Sequence, residues 1–114
     1  MLNLHRNLNN SLAGIKAALS DKSFRGQLAL GAVALPMIVF LGTATIGYKL
    51  SAIGTYVLLI ATELLNTAIE RLCDRVTNEH DQAIKEVKDM ASAAVFVVLM
   101  LFLTQCAWIL MGNP

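Results

Sequence analysis

The stretch ATELLNTAIERLCDRV, residues 61–76, has the spacing of an amphipathic α-helix, yet it follows an almost purely apolar segment. The residues just before Glu63, Leu50–Thr62, carry no charged side chain. On a helical wheel at about 100° per residue, four polar side chains fall within an arc of about 80°. They are Glu63, Asn66, Glu70 and Asp74. The stretch therefore predicts a helix that leaves an apolar environment with a polar stripe along one face.

The composition is typical of a membrane protein. The chain has 114 residues, of which 56% are hydrophobic and 15% charged, and its mean hydropathy is +0.61. Soluble domains average about 25% charged residues, and a soluble fold this small would have too much surface for so few charges. The net charge of +1 gives no basic field for nucleic acid. We expect one domain, residues 1–114, in which both cysteines are ordinary apolar residues.

Three segments with few charges predict three transmembrane helices. A helix needs about 20 apolar residues to cross the hydrocarbon core. The predicted spans are residues 26–48, 50–72 and 90–112, by approximate limits. The second span is long enough only if Glu63 lies inside the membrane or at its edge. Pro36 falls within the first span, where a membrane helix tolerates it.

The N-terminal segment, about residues 2–20, has a different pattern. Its apolar residues recur at steps of three and four, with polar residues between them. The apolar positions are Leu4, Leu8, Leu12, Ile15 and Leu19. This pattern predicts an amphipathic helix that lies in the membrane interface. We do not expect a cleaved signal peptide here, because no long apolar region follows the first basic residues.

The distribution of basic residues predicts the orientation. Of the nine lysines and arginines, only Lys49 falls on the far side of the predicted topology. The positive-inside rule therefore places the N-terminus and the charged segment 71–89 in the cytoplasm.

The polar stripe is the candidate functional site. A carboxylate inside a membrane costs about 2.5–3.5 kcal/mol even on lenient scales, so Glu63 is expected to face a bundle interior or a site. A carboxylate in such a low-dielectric place can act as a general base, and Glu70, nearer to water, can hold Mg²⁺. Asn66 can orient a hydroxyl or a phosphate, and Lys88 is a natural phosphate partner. Asp74 has a simpler explanation, a solvated helix end paired with neighbouring arginines.

These residue types at a membrane boundary indicate phosphoryl transfer to a lipid headgroup. The sequence has no P-loop and no protein-kinase signature, so any kinase here is of another type.

Several stretches of the chain resemble the prokaryotic diacylglycerol kinase family. ELLNTAIE at residues 63–70, followed by Asp74, resembles the family pattern E-[IL]-[LIV]-N-[ST]-A-I-E-x-x-x-D. KDMASAA at residues 88–94 is similar to the pattern K-D-[MI]-G-S-A-A, and NSLAG at residues 10–14 also resembles a family signature. The resemblance extends from about Arg6 to Trp108.

The resemblance implies an all-α fold, a helical bundle with one amphipathic surface helix and three transmembrane helices per chain, assembled as a homotrimer. It implies an enzyme that uses Mg²⁺ and ATP to convert diacylglycerol to phosphatidic acid. Its active sites would lie at the cytoplasmic face of the bacterial inner membrane and would be shared between neighbouring chains.

The resemblance also implies roles for single residues. Glu63 matches the general base. The positions that match ATP contacts are Arg6, Asn66, Glu70, Lys88 and Asp89. The metal ligands would be Glu70 and Asp21. This chain departs from the family pattern at two places. Asp21 stands where the family has glutamate, which is one methylene longer, and Gly26-Gln27 replaces the family's Gln-Glu. These departures concern the second metal ligand and the lipid preference.

Two alternatives remain open at the level of the sequence. An undecaprenol kinase would share the fold and the chemistry and would act on a polyisoprenoid alcohol. A non-enzymatic membrane protein, such as a small proton-coupled exporter, would also need an intramembrane glutamate like Glu63. An exporter would not need Lys88 and Asp89, nor Asn66 in helical register with Glu70.

Overall fold

The structure, a computed structural model, describes residues 3–112 and contains four α-helices in that range. They are α1 (Leu4–Ala18), α2 (Lys22–Phe40), α3 (Ile46–Val76) and α4 (Gln82–Leu110). By length and composition, α2, α3 and α4 are each able to cross a membrane. The predicted all-α fold with three such helices is therefore confirmed. Residues 1, 2, 113 and 114, which the predicted domain includes, lie outside the described residues.

Side-chain caps fix where three of the helices begin. Asn3 accepts a hydrogen bond from the backbone N–H of residue 6 at 3.0 Å. Asp21 does the same at the start of α2, at 3.1 Å, and Asp81 at the start of α4, also at 3.1 Å. Such caps satisfy backbone donors that a helix leaves unpaired. The cap at Asp21 matters most for the site, because it fixes the direction in which the first turn of α2 points.

The connection between α2 and α3 differs from the prediction. α2 ends at Phe40, well before residue 48, and α3 already begins at Ile46. A Cβ atom on Gly42 would clash with a side chain of α4, so the chain can pass this close only with glycine there. Lys49 Nζ donates to the Val39 carbonyl oxygen at 3.0 Å and satisfies an acceptor near the end of α2. The turn between the two helices therefore begins several residues before the predicted end of the first span.

Two of the helices are longer than a membrane is thick. α3 has 31 residues and α4 has 29, so each is about 45 Å long, against about 30 Å for the hydrocarbon core. Apart from Lys49 near the start of α3 and Glu63 within it, the charges of these two helices lie in the last turns of α3 and in the first turns of α4, up to Asp89. The uncharged part of α4, Met90–Leu110, is long enough to cross by itself, and the charged ends extend beyond the apolar region.

The core lies between α2, α3 and α4. Its most buried apolar members are Ile38, Ala52, Leu59, Phe102 and Ile109. The ring of Tyr56 packs against that of Phe102 in a tilted arrangement with centroids 5.3 Å apart, and its hydroxyl donates to the Gln27 carbonyl oxygen at 2.8 Å. Gly31 makes room for this ring, since a Cβ atom there would overlap it. Most other large apolar side chains face outward, as expected for a bundle in lipid.

The charged ends of the helices meet at one end of the bundle. The end of α1 contacts α3 through Arg71, which donates to the Ala17 carbonyl oxygen at 3.0 Å. At the opposite end, Gln105 of α4 donates to the hydroxyl of Ser51 on α3 at 3.1 Å. The leucines of α1 are not packed on the bundle, and Leu4 is 70% exposed.

Candidate functional site

Glu63 is the most deeply buried charged residue among residues 3–112, with 1% of its surface exposed. It lies on α3 toward the charged end of the bundle. Asn66 and Thr67, one turn further along, are also buried, with 6% and 4% exposed. Glu70 is half-buried. The predicted stripe therefore begins inside the protein and reaches the surface within two turns, as helical spacing requires.

Glu63 is held by a neighbouring helix. The hydroxyl of Ser23, in the first turn of α2, donates a hydrogen bond to Glu63 Oε1 at 2.9 Å. A buried carboxylate normally requires hydrogen-bond donors, because its desolvation is costly. The first turn of a helix is also electrostatically favourable for a negative charge. The start of α2 thus supports the one carboxylate that the sequence places in the apolar region.

Asn66 and Glu70 form a pair on α3. Asn66 Nδ2 donates to Glu70 Oε1 at 3.1 Å. The other amide atom, Asn66 Oδ1, is buried and has no hydrogen-bond partner among residues 3–112. Such unsatisfied buried acceptors are uncommon in folded proteins. This oxygen is therefore available to a donor or a cation from outside the described chain.

Asp21 lies beside the stripe and is already partly engaged. Its Oδ2 atom accepts from the Phe24 N–H and from the Thr67 hydroxyl, the latter at 3.4 Å. Its Oδ1 atom accepts no hydrogen bond from the described part of the chain. Asp21 thus approaches α3 at Thr67, a position three residues before Glu70, with one carboxylate oxygen left free.

The structure separates Lys88 from Asp89. Lys88 Nζ pairs with Asp74 Oδ1 at 2.6 Å, so it joins the surface end of the stripe. Asp89 pairs instead with Lys85 at 2.6 Å, along the outside of α4. Lys88 precedes the uncharged part of α4, and its hydrogen bond with Asp74 raises the pKa of the ammonium group. Asp74 thus pairs with a lysine of α4 and not with the neighbouring arginines.

Arg6 is not brought to the stripe within this chain. It lies in the first turn of α1, and only its backbone N–H makes a hydrogen bond, to Asn3. Its side chain makes no hydrogen bond or ion pair with any of residues 3–112. The predicted nucleotide contact of Arg6 therefore has no geometric support in a single chain.

The oxygen ligands present fit a magnesium ion that arrives with a nucleotide. Among the described residues there is no cluster of three or more histidine, cysteine or acidic side chains that could hold a metal by itself. Mg²⁺ is typically bound by one or two carboxylates together with substrate phosphates and water. Glu70 and the unpartnered Asn66 oxygen are hard oxygen donors of that kind. Asp21, with one oxygen free, is the second carboxylate near the stripe.

Two cavities flank the stripe and differ in character. One is a groove of about 430 Å³ between α1 and α3, lined mainly by small and apolar residues, with Thr67 and Arg71 among its lining. The other is a polar cavity of about 450 Å³ where α3 connects to α4, and its lining includes Asp74 and Lys88. The charged cavity thus includes the surface end of the stripe, and the apolar groove reaches Thr67 beside the stripe.

Two residues of the site were not among the predicted ones. Thr67 is at about 40° from Glu63 on the helical wheel, next to the polar arc, so the sequence carried a signal for it. Ser23 carried none, because only the packing of α2 against α3 brings its hydroxyl to Glu63.

The sequence of this chain is similar to those of known proteins. The model of a family described as prokaryotic diacylglycerol kinase matches residues 9–110. A diacylglycerol kinase of Pseudomonas aeruginosa is 40% identical over 102 residues, which is 90% of this chain and 83% of the relative. One of Haemophilus influenzae is 37% identical over 90 residues, with coverages of 78% and 75%. One of Escherichia coli K12 is 30% identical over 98 residues, with coverages of 84% and 80%.

Proposed function

This chain belongs to the prokaryotic diacylglycerol kinase family, and from this premise we propose that it transfers the γ-phosphoryl group of ATP to diacylglycerol, giving phosphatidic acid and ADP. One observation carries the proposal for the site. A buried carboxylate, Glu63, begins a polar stripe whose surface end, Asp74, lines a charged cavity, and an apolar groove lies beside the stripe at Thr67. A lipid kinase needs this combination, because one substrate is a lipid and the other is a polyanion.

Glu63 acts in this proposal as the general base. It accepts the proton of the lipid hydroxyl while that oxygen forms a bond to the γ-phosphorus. The bond between the γ-phosphorus and the bridging oxygen of ADP breaks, and ADP leaves with the electron pair. The proton on Glu63 then passes to water. Burial of Glu63 supports this role, because a base away from bulk water can meet the lipid hydroxyl without competition from hydration.

The nucleotide is bound on the charged side of the stripe. Lys88 offers a positive charge to the phosphates, and Asn66 offers its unpartnered oxygen as an acceptor. Glu70, with Asp21, would hold Mg²⁺, which when bound neutralises charge on the phosphates. Asp89 is the remaining proposed contact from α4, and it would have to leave its ion pair with Lys85 to reach the nucleotide.

The proposed role of Arg6 depends on the proposed assembly of the chain into a homotrimer. A homotrimer with shared sites would allow Arg6 of one chain to reach the nucleotide bound at the stripe of its neighbour. Two observations support such sharing: the side chain of Arg6 makes no hydrogen bond or ion pair with residues 3–112, and Asn66 leaves a buried acceptor open.

The proposed location is a bacterial inner membrane, with the charged end of the bundle in the cytoplasm. The concentration of lysine and arginine at that end supports this orientation. In it, α1 lies in the interface, with its exposed leucines, such as Leu4 and Leu8, in the lipid.

The test is phosphate transfer from labelled ATP by the full chain purified in detergent, with diacylglycerol and undecaprenol offered in separate reactions. We expect product on diacylglycerol. Product on undecaprenol alone would keep the chemistry and overturn the substrate, and no product on either lipid would contradict the proposal.

The matched variants are Glu63→Gln and Glu86→Gln. Glu63→Gln removes the base and keeps the size of the side chain, so turnover should fall by about 10²- to 10⁴-fold. Glu86 is exposed on α4 and outside the site, so Glu86→Gln should turn over like the wild type. Near-normal turnover of Glu63→Gln would refute the role of Glu63.

A further inference from the structure

Within residues 3–112, the hydroxyl of Ser23 is the one group that donates a hydrogen bond to the carboxylate of Glu63. The bond is 2.9 Å long and ends on Oε1. The second oxygen, Oε2, accepts no hydrogen bond from the described residues. The carboxylate thus has one anchored and one open oxygen.

This contact is unusual for a serine in the first turn of a helix. Such serines commonly bond to the backbone of their own turn, because that backbone has unpaired N–H groups. In α2 the carboxylate of Asp21 already caps the Phe24 N–H. The hydroxyl of Ser23 is therefore free to reach across to α3, forty positions further along the chain.

We propose that Ser23 is a positioning residue for the transfer reaction, and this rests on the proposed function, in which Glu63 is the base. Ser23 fixes the rotation of the Glu63 carboxylate by holding Oε1, so that Oε2 faces the lipid hydroxyl. Ser23 keeps its own proton throughout. The proton of the lipid hydroxyl goes to Oε2 and later to water, so the balance of the reaction is unchanged.

The position of Ser23 follows from two contacts on the same turn of α2. The cap at Asp21 fixes where the helix begins, and the Thr67 hydroxyl holds Asp21 Oδ2 from α3 at 3.4 Å. The first turn of α2 is thus attached to α3 at Thr67 and at Glu63, which are one helical turn apart. Because α2 is attached to α3 at two points, the packing of the two helices fixes the orientation of the Glu63 carboxylate.

The experiment compares Ser23→Ala with Ser23→Thr, using the full chain in detergent with diacylglycerol and ATP. Ser23→Ala should lower kcat by about tenfold to a hundredfold, the range expected for the loss of one hydrogen bond to a charged group. The KM for ATP should stay within about twofold, because Ser23 does not contact the nucleotide side of the stripe. Ser23→Thr keeps the hydroxyl and should restore most of the turnover.

Ser51→Ala is the matched control. It also deletes a serine hydroxyl that bonds to another helix, but at the opposite end of the bundle, at Gln105. The two alanine variants should lose similar thermal stability, whereas only Ser23→Ala should lose kcat. A purely structural role for Ser23 would lower kcat in Ser23→Thr as well, or would lower the thermal stability of Ser23→Ala far below that of Ser51→Ala, and either result would overturn the proposal.

A double variant decides whether Ser23 acts through Glu63. In a Glu63→Gln background, Ser23→Ala should have almost no further effect on the residual rate, because the group that Ser23 orients is gone. The same fold-loss in both backgrounds would contradict the proposal. An inactive wild type would refute the proposed function itself, whereas an active wild type with an inactive Glu63→Gln and an unaffected Ser23→Ala would refute only the role of Ser23.

Discussion

Arg71 of α3 donates a hydrogen bond to the hydroxyl of Ser20 at 2.8 Å, and the same nitrogen donates to the Ala17 carbonyl oxygen at 3.0 Å. Arg25 of α2 donates to the Leu19 carbonyl oxygen, also at 3.0 Å. Two guanidinium groups therefore close the end of α1, where backbone acceptors are unpaired and the helix dipole favours cations. These bonds attach α1 to the bundle just before the turn that carries Asp21.

We predict that Arg71→Gln loosens α1 and leaves the spans intact. The loss of hydrogen bonds worth about 0.5–1.5 kcal/mol should speed amide exchange in Leu4–Ala18 by about twofold to tenfold. Hydrogen–deuterium exchange in detergent measures this helix by helix. Arg75→Gln is the control, since Arg75 lies one turn further on and its side chain makes no hydrogen bond with the described residues. Equal exchange in the two variants would contradict the anchoring role of Arg71.

We predict that Asp74→Asn raises the KM for ATP by about threefold to tenfold, with little change in kcat. Asp74 orients Lys88 at 2.6 Å, and a lysine without that partner samples more rotamers before it meets the phosphates. Thermal stability should hardly change, because exposed ion pairs contribute little to folding. Steady-state kinetics checks both parameters. An unchanged KM would remove Asp74 from the site and leave it as a surface partner of Lys88.

The pH dependence of this contact follows from the direction of the pKa shift. The hydrogen bond with Asp74 raises the pKa of Lys88 above its ordinary value, which is about 10.4. The contribution of the charged Lys88 to ATP binding is thus fully present below the ordinary pKa. It is lost only as the pH rises through the higher pKa of the folded state. The KM for ATP should therefore not rise through loss of the Lys88 charge between about pH 7 and pH 9. A rise in the KM for ATP between these pH values that is seen in the wild type and is absent in Lys88→Met would contradict the raised pKa of Lys88.

We predict that Gly31→Ala destabilises the bundle by about 1–3 kcal/mol, the usual cost of overpacking a core. A methyl group at this position would overlap the ring of Tyr56 and displace its hydroxyl from the Gln27 carbonyl oxygen. Gly54→Ala is the control, because apart from the adjacent backbone of α3 itself no described atom lies within 4 Å of the added Cβ atom. Unfolding in a denaturing detergent compares the two variants. A Gly31→Ala protein as stable as Gly54→Ala would show that Tyr56 can relocate at no cost.

We predict that Glu70→Gln weakens binding of the divalent cation by at least about tenfold, because a neutral amide replaces a carboxylate ligand. Titration of Mn²⁺ by electron paramagnetic resonance, in the presence of a non-hydrolysable ATP analogue, measures this without turnover. Glu86→Gln should bind the ion like the wild type. Equal affinities in all three proteins would exclude Glu70 as a ligand.

The helices and the polar stripe could be predicted from the sequence because both depend on local rules. A run of about 20 apolar residues identifies a helix that can span a membrane, and a period of 3.6 residues places Glu63, Asn66 and Glu70 on one face. The limit of the first span was harder to predict. α2 ends at Phe40 and Gly42 then passes close to α4, a contact between helices that leaves no mark in local hydropathy.

By itself, then, the sequence determined the number and order of the helices and the line of polar groups on α3, since these follow from residue spacing along one chain. Only the tertiary structure decided which groups meet across helices. It placed Ser23 against Glu63, joined Lys88 to Asp74 and turned Asp89 toward Lys85. The physical reason is that contacts between helices depend on how the helices rotate and cross when they pack, and the period of a single helix carries no information on that packing.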